Sequence, residues 1–247
     1  MLISLEEMSE IFDIKPNGVL HIGAHLAEES EIYERFGWVP VIWVEANPAL
    51  VSLMKKKLLP SKHTILQAAI SDINGEKKEF YLSNNSQSSS LLKFKLHKKY
   101  YKNITYVDKL EVLTSRIDSL LNSYNVPNFI NLDIQGMELQ ALKSFGNYLN
   151  KVDYVYSEVN KKELYLGCNL VDEIDIFLES NGFKRVASRF YLKQGWGDAL
   201  YIRRVIYNKL TISKKIKWKS SQFKFYLNYV FNQFSSFVQS IKRKIII

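Results

Sequence analysis

The sequence predicts an α/β domain built on a mainly parallel sheet with helices on both faces, followed by a basic helical tail. Two observations carry this. From Gly18 to Arg204, short apolar runs alternate with helical stretches of about ten residues, the signature of βαβ units. The charge is also divided unevenly: residues 205–247 hold nine Lys and Arg and no Asp or Glu. Of the 34 basic and 25 acidic residues in the chain, residues 1–204 therefore keep 25 of each and are neutral. The organisation expected is one domain, 1–204, and a tail, 205–247, with no internal repeat and no Pro- or Gly-rich linker before the tail.

The elements follow in order. Residues 18–23 read as a buried strand ending in glycine, 26–36 as a helix closed by Gly37, and Val39–Ala46 as a second strand. Pro48 suits the first turn of a helix through Leu58. Thr64–Ile70 is a third strand, and Glu79–Ser83 a fourth entered through the turn pair Asn74-Gly75. Residues 84–108 are polar and lack periodicity, so a long loop or lid is expected, and long loops in compact domains are usually functional. Glu111–Arg116 reads as a strand, followed by a short helix to Tyr124. Asn128–Ile134 is a strand, Gly136–Phe145 a helix and Asp153–Val159 a strand. Leu170–Ser180 is a helix with Gly182 beyond its end, and Phe183–Phe190 and Asp198–Arg204 close the domain as an antiparallel pair.

Composition excludes wholesale disorder, since 47% hydrophobic and 24% charged residues are ordinary globular values. Cys168 is the single cysteine, which excludes an internal disulfide and suits a reducing compartment. The acidic start, Glu6-Glu7, does not resemble an export signal, and no uncharged apolar run reaches the roughly 18 residues of a membrane span. A cytoplasmic protein is expected.

The chemistry gathers at strand ends, where open α/β sheets bind ligands. His21-Ile22-Gly23-Ala24-His25 ends the first strand with one glycine, too few for a dinucleotide cradle but enough for a ligand ending in a single carboxylate. Glu45 ends the second strand 22 residues after Gly23, positioned to accept the ribose hydroxyls of an adenosine ligand; its plain alternative is a helix cap. At the third strand, Ala69 or Ile70 would pack on the adenine, with Ser71 or Asp72 at its amino edge. Asp133 ends an otherwise apolar strand, where an unused carboxylate is costly. Glu138 opens the next helix and could simply compensate its dipole. Glu158 ends the neighbouring strand and completes a polar floor for a hydroxylated substrate.

Taken in order, these segments resemble the FkbM family of methyltransferases. The residues that carry the likeness are Ile22-Gly23-Ala24-His25, Glu45-Ala46-Asn47-Pro48, Ala68-Ala69-Ile70-Ser71-Asp72, Ser88-Ser89-Ser90-Leu91, Asp133-Ile134-Gln135-Gly136-Met137-Glu138, Ser157-Glu158-Val159 and Trp196-Gly197-Asp198. The resemblance covers residues 17 to 204. It implies a Rossmann-like class I methyltransferase fold with a seven-stranded sheet, S-adenosylmethionine as cofactor, and O-methylation of a sugar or glycan. It assigns His21, Gly23, Ala24, His25, Glu45, Ala46, Ala69, Ile70, Ser71, Asp72 and Asp133 to the cofactor. Ser88, Ser89, Gln135, Glu138, Glu158 and Trp196 fall to the substrate. His21 stands where the family pattern has an acid, Ala27 where it has a second glycine, and Gln135 where it has glutamate.

A sugar hydroxyl must lose its proton as the new bond forms. Asp133 is the candidate base, with Glu158 beside it, and His25 and His97 are alternatives. Carboxylates could also hold Mg²⁺ on a diol, but no metal site is predicted. The rival functions are methylation of RNA or another small molecule, and a non-catalytic S-adenosylmethionine-binding module. In the tail, Tyr226, Tyr229 or Val230, Phe234 and Phe237 recur at helical spacing between lysine clusters. Such a helix suits an anionic membrane at the inner face, a glycan-assembly enzyme, or its own domain; nucleic acid is disfavoured because the main domain adds no basic footprint.

Overall fold

The computed structural model describes residues 2–245, with the side chains of Lys215 and of residues 232–245 outside the description. The chain opens with α1 (Leu5–Phe12), β1 (Val19–Ile22), α2 (Ser30–Arg35), β2 (Val41–Glu45), α3 (Pro48–Lys57) and β3 (His63–Gln67). β4 (Ala69–Ile70), β5 (Lys77–Ser83), α4 (His97–Tyr100), β6 (Tyr106–Ser115) and α5 (Ile117–Leu120) come next. β7 (Phe129–Leu132), α6 (Glu138–Lys143), β8 (Tyr154–Asn160), α7 (Val171–Ser180), β9 (Phe183–Phe190) and β10 (Trp196–Arg203) complete the domain, and α8 (Arg204–Lys209) and α9 (Ile212–Ile245) follow.

Seven strands form one sheet in the order β3-β2-β1-β7-β8-β10-β9, parallel except for β10, which runs against both its neighbours. The architecture is Rossmann-like, with the direction of winding reversing between β1 and β7. Alternation explains why both faces are covered. Val19, Val41, Phe129 and Tyr154 point into one apolar layer, while Leu20, Ile42, Ile130 and Val155 point into the other. A smaller sheet, β4-β6-β5, stands beside the large one.

Three departures from the sequence reading have local causes. The helix expected at 26–36 begins only at Ser30, because His25 (φ 48°) and Ala27 (φ 54°) take left-handed backbone and turn the chain. The strand expected at 64–70 divides: β3 stays in the large sheet, and β4 pairs with β6 instead. The stretch 84–108 is not all loop, since it contains a 3-10 turn (Ser86–Ser88), α4 and the start of β6. α1 is an element the sequence pattern does not assign. Ser4 caps it by accepting the Glu7 amide at 3.1 Å, and Leu5, Met8, Ile11 and Phe12 bury its inner face.

The tail is not a free appendage in its described part. Trp218 is buried 6.0 Å from Phe12, and the Arg189 guanidinium lies 4.9 Å from the Trp218 ring and 4.8 Å from the Phe225 ring. Arg189 donates to both oxygens of Glu7 and to Ser221, and Tyr226 Oη accepts the Phe190 amide at 3.2 Å. Tyr229 lies 6.2 Å from Tyr191. Tyr226 and Tyr229 thus belong to the inner face, whereas Val230 is exposed. The side chains of Phe234 and Phe237 lie outside the described residues.

Candidate active site

The carboxyl ends of β1, β2, β7 and β8 open into one cleft with two compartments, at the reversal between β1 and β7 where such sheets bind ligands. Gly23 shapes the junction. Its φ is +87°, and a Cβ there would lie 1.7 Å from the Asp133 carbonyl oxygen. Only glycine lets β1 leave the sheet this close to β7.

The first compartment, about 600 Å³, lies between the glycine loop and β4. Glu45 is its fixed anion. The carboxylate accepts the His25 amide at 2.9 Å and the Asn47 amide at 2.8 Å, one on each oxygen, which leaves further lone pairs toward the cleft. Burial raises its pKa, against the pull of those amides. Ala46, Ala69, Ile70, Phe80, Leu91 and Met137 give an apolar wall. Ser71 and Asp72 do not reach the compartment. Ser71 is fully buried with its hydroxyl donating to Asp72, and the Asp72 carbonyl accepts from Arg116 at 2.7 Å.

The amides of the glycine loop from Gly23 to Ala27 are all engaged within the protein. The Gly23 and Ala24 amides donate to the Val44 carbonyl, His25 to Glu45, Leu26 to Glu28 and Ala27 to the Ala24 carbonyl. Both His25 ring nitrogens are also engaged, with Glu28 at 2.5 Å and Ser86 at 2.6 Å, so His25 ties the loop to the serine-rich segment. His21 is buried, stacked on Trp43 at 5.0 Å, and burial pushes its pKa down to about 3, which keeps it neutral.

The second compartment, about 1110 Å³ counted out to its solvent mouth, meets the first at Gly23, His25, Gln87, Asp133 and Gln135. Its acids are Glu28, Glu29, Asp133, Glu158 and Asp198, its rings His21, His25, His97, Tyr101, Tyr165 and Trp196, and no Lys or Arg lines it. Gln135 organises the floor. Its amide nitrogen donates to Asp133 Oδ1 at 2.6 Å and to Glu158 Oε2 at 3.1 Å, while its carbonyl accepts from the Tyr165 hydroxyl. Gln135 itself sits at φ 55°, and Ser90 Oγ donates to its main-chain carbonyl at 2.8 Å. Burial raises both carboxyl groups, Glu158 the further; the charge of Asp133 adds to the rise at Glu158, and those of Asp198 and Glu29 to the rise at Asp133, while the Gln135 amide opposes both. Glu158 therefore keeps its proton to higher pH than Asp133.

Ser88 and Trp196 line the second compartment and Ser89 the first; the Trp196 indole donates to Tyr101 Oη at 2.7 Å. Glu138 is not in the cleft. It is wholly buried, its carboxylate accepting the amides of Gly136 at 2.9 Å and Ile134 at 3.2 Å, so it fastens the β7–α6 loop and does not meet a substrate. His97 does line the second compartment, stacked on Phe94 at 4.2 Å, but burial pushes its pKa down to about 4 and makes it a poor base. Gln87, Tyr101, Tyr165 and Asp198 are cleft residues absent from the sequence assignment. Gln87 was findable as the one non-serine within Ser86–Ser90 and Asp198 from the Trp196-Gly197-Asp198 segment, while nothing local marks the two tyrosines. Among the described residues, no group of three or more His, Cys, Asp or Glu is arranged to hold a metal ion.

Comparison with known proteins places these segments in context. Residues 21–185 match the methyltransferase FkbM domain. A comparison with curated protein sequences finds no match. Among solved structures, the chain is similar to a protein of the NADB-Rossmann superfamily from Streptococcus agalactiae, with 14% identity, 92% of this chain and 85% of that one covered, and a TM-score of 0.46. It is also similar to the magnesium protoporphyrin IX methyltransferase of Synechocystis with bound S-adenosylmethionine: 12% identity, 75% and 69% covered, TM-score 0.42. A third is a putative tRNA (m1A22) methyltransferase of Streptococcus pneumoniae in complex with S-adenosylmethionine, at 15% identity, 97% and 96% covered, TM-score 0.41.

Proposed function

The chain belongs to the FkbM methyltransferase domain family, and from that membership we propose that it moves the methyl group of S-adenosylmethionine to a hydroxyl of a sugar or other polyhydroxylated acceptor. The observation that carries the acceptor class is the lining of the second compartment, acidic and ring-rich, with Asp133, Glu158 and Asp198 beside His97, Tyr101, Tyr165 and Trp196 and no Lys or Arg among the described residues. Carboxylates accept hydrogen bonds from hydroxyls, and ring faces pack on the C–H faces of sugars. A phosphodiester would meet carboxylates there and no lysine or arginine among the described residues, which argues against RNA as the acceptor.

The residues of the first compartment fit the cofactor. Glu45 has lone pairs for two ribose hydroxyls, and the apolar wall from Ala69 to Met137 suits an adenine ring. From the second compartment, where it meets the first at the glycine loop, Glu28 and Glu29 supply negative charge for its ammonium group. When bound, the sulfonium supplies a methyl carbon already activated for displacement. The chain's own task is to hold the acceptor oxygen in line and to receive its proton. Asp133 is the proton acceptor, oriented by Gln135, and Glu158, which keeps its proton to higher pH, binds and orients a neighbouring hydroxyl.

The test has two stages. Calorimetric titration with S-adenosylhomocysteine is expected to give micromolar binding that collapses in Glu45→Ala. A folded wild-type protein that does not bind would remove the reading. A screen of sugars and glycans, followed by release of S-adenosylhomocysteine, is then expected to show turnover that falls roughly 10²–10⁴-fold in Asp133→Asn. Turnover only with RNA would overturn the acceptor class, and binding without turnover on any acceptor would mark a non-catalytic module.

A further inference from the structure

Helix α9 carries a second apolar face that the domain does not use. Its inner side is committed: Trp218, Ser221, Gln222 and Tyr226 all bond or pack against α1 and β9. On the other side, Ile212, Ile216, Phe223, Leu227, Val230 and Phe231 are 56–75% exposed. At about 100° per residue, five of these positions (212, 216, 223, 227 and 230) fall within a sector of roughly 60°, with Phe231 at its margin. Lys219 falls on the same side and Lys224 at its edge. Both are exposed, and neither makes an ion pair among the described residues.

An exposed apolar stripe of this continuity marks a contact surface. Charge selects among the partners. Residues 205–247 contain no acid, so a second copy of the chain meeting this stripe would bring lysine against lysine. RNA would use the lysines but leave six large apolar side chains in water. A bilayer surface rich in anionic lipid takes up both. No helix among the described residues is long and apolar enough to cross a membrane, which leaves a helix lying in the interface plane.

We propose that α9 seats the protein on anionic membrane surfaces through the stripe Ile212–Ile216–Phe223–Leu227–Val230, with Lys219 and Lys224 among the headgroups. This stripe is distinct from the aromatic one that docks the helix on its own domain. The proposal does not depend on the acceptor assigned above.

The experiment is co-sedimentation of the full-length protein with vesicles of phosphatidylcholine alone or mixed with phosphatidylglycerol, beside three variants. Wild-type protein is expected to sediment with the mixed vesicles and not with the neutral ones. Phe223→Asp with Leu227→Asp is expected to abolish this, while its thermal unfolding stays that of wild type because both side chains face solvent. Lys219→Gln and Lys224→Gln are each expected to weaken binding roughly five-fold, the share of one cation near anionic lipid. Failure to sediment with anionic vesicles would overturn the proposal, as would sedimentation that the Asp variant leaves intact. A dimer in light scattering that the Asp variant dissolves would identify a second copy as the partner instead. Retention of an RNA oligomer that depends on the lysines and not on Phe223 would identify nucleic acid.

Discussion

Two influences compete over Glu138, its burial and the amides that hold its carboxylate. The side chain is fully buried at the start of α6, and its carboxylate accepts two amides, Gly136 and Ile134, at 2.9–3.2 Å. Burial disfavours the charge, the amides favour it, and burial prevails, pushing the carboxyl from 4.5 up to about 7. An acid whose folded pKa is raised gives its full stability below the unfolded value and loses it as pH climbs through the folded one. Between pH 5 and pH 8 the loss is about 2.5 kcal/mol, at 1.36 kcal/mol for each pH unit in which only the folded form holds the proton. Glu138→Gln keeps the shape and removes the proton. The variant carries a fixed penalty of about 1–3 kcal/mol, because one NH₂ now faces the loop amides, and that penalty is the same at every pH. Urea unfolding of both proteins from pH 5 to pH 8 is the assay. The difference in stability is expected to move in favour of the variant by about 2.5 kcal/mol across the range. Parallel curves would refute the reasoning, since they would mean that the amides hold Glu138 ionised throughout.

Two further perturbations act on the cleft. Gly23→Ala places a Cβ 1.7 Å from the Asp133 carbonyl oxygen at a left-handed φ, so the β1–β7 junction must move. It is expected to cost at least about 2 kcal/mol in denaturant unfolding and to abolish S-adenosylhomocysteine binding, and wild-type values for both would show that the approach is not tight. Gln135→Met keeps length and volume but removes the donor shared by Asp133 and Glu158. A hydrogen bond to the charged form lowers an acid's pKa, so its loss raises it. One charge-assisted bond of about 1.5–3 kcal/mol corresponds to about one to two pH units. The acidic limb of the rate profile is expected to move up by that amount, and an unmoved limb would exclude Gln135 as the residue that positions the pair.

Much of the fold was legible because the central strands of the large sheet are buried on both faces and appear as apolar runs wherever they lie in the chain. β1, β2, β7, β8 and β9 all fall where the pattern puts them, to within a few residues. What was not legible depended on distant partners. Nothing in Thr64–Ile70 says that its last two residues pair with Thr114 and Ser115, 45 residues on. α1 has good helical spacing, but its apolar face is covered by partners distant in sequence, Tyr156, Leu200 and Trp218 among them. The tail's two faces share one periodicity, and sequence alone cannot tell which is turned to the domain.

The site divides along the same line. Glu45 and Asp133 were legible because a charge at the end of an apolar strand has few cheap explanations. The acidic second compartment was not, since its five carboxylates come from the loop after β1 and from the ends of β7, β8 and β10, within a domain whose net charge is zero. Gln135 shows the difference most sharply. In the sequence it is a missing glutamate and reads as a weakened acid pair. In the structure it is a donor between two acids that already crowd each other, fixed by Tyr165 and Ser90. A glutamate in that place would add a third negative group to a compartment lined by no Lys or Arg among the described residues. The amide instead lets one carboxylate stay ionised beside a protonated neighbour, which is the arrangement that taking a proton from a hydroxyl requires.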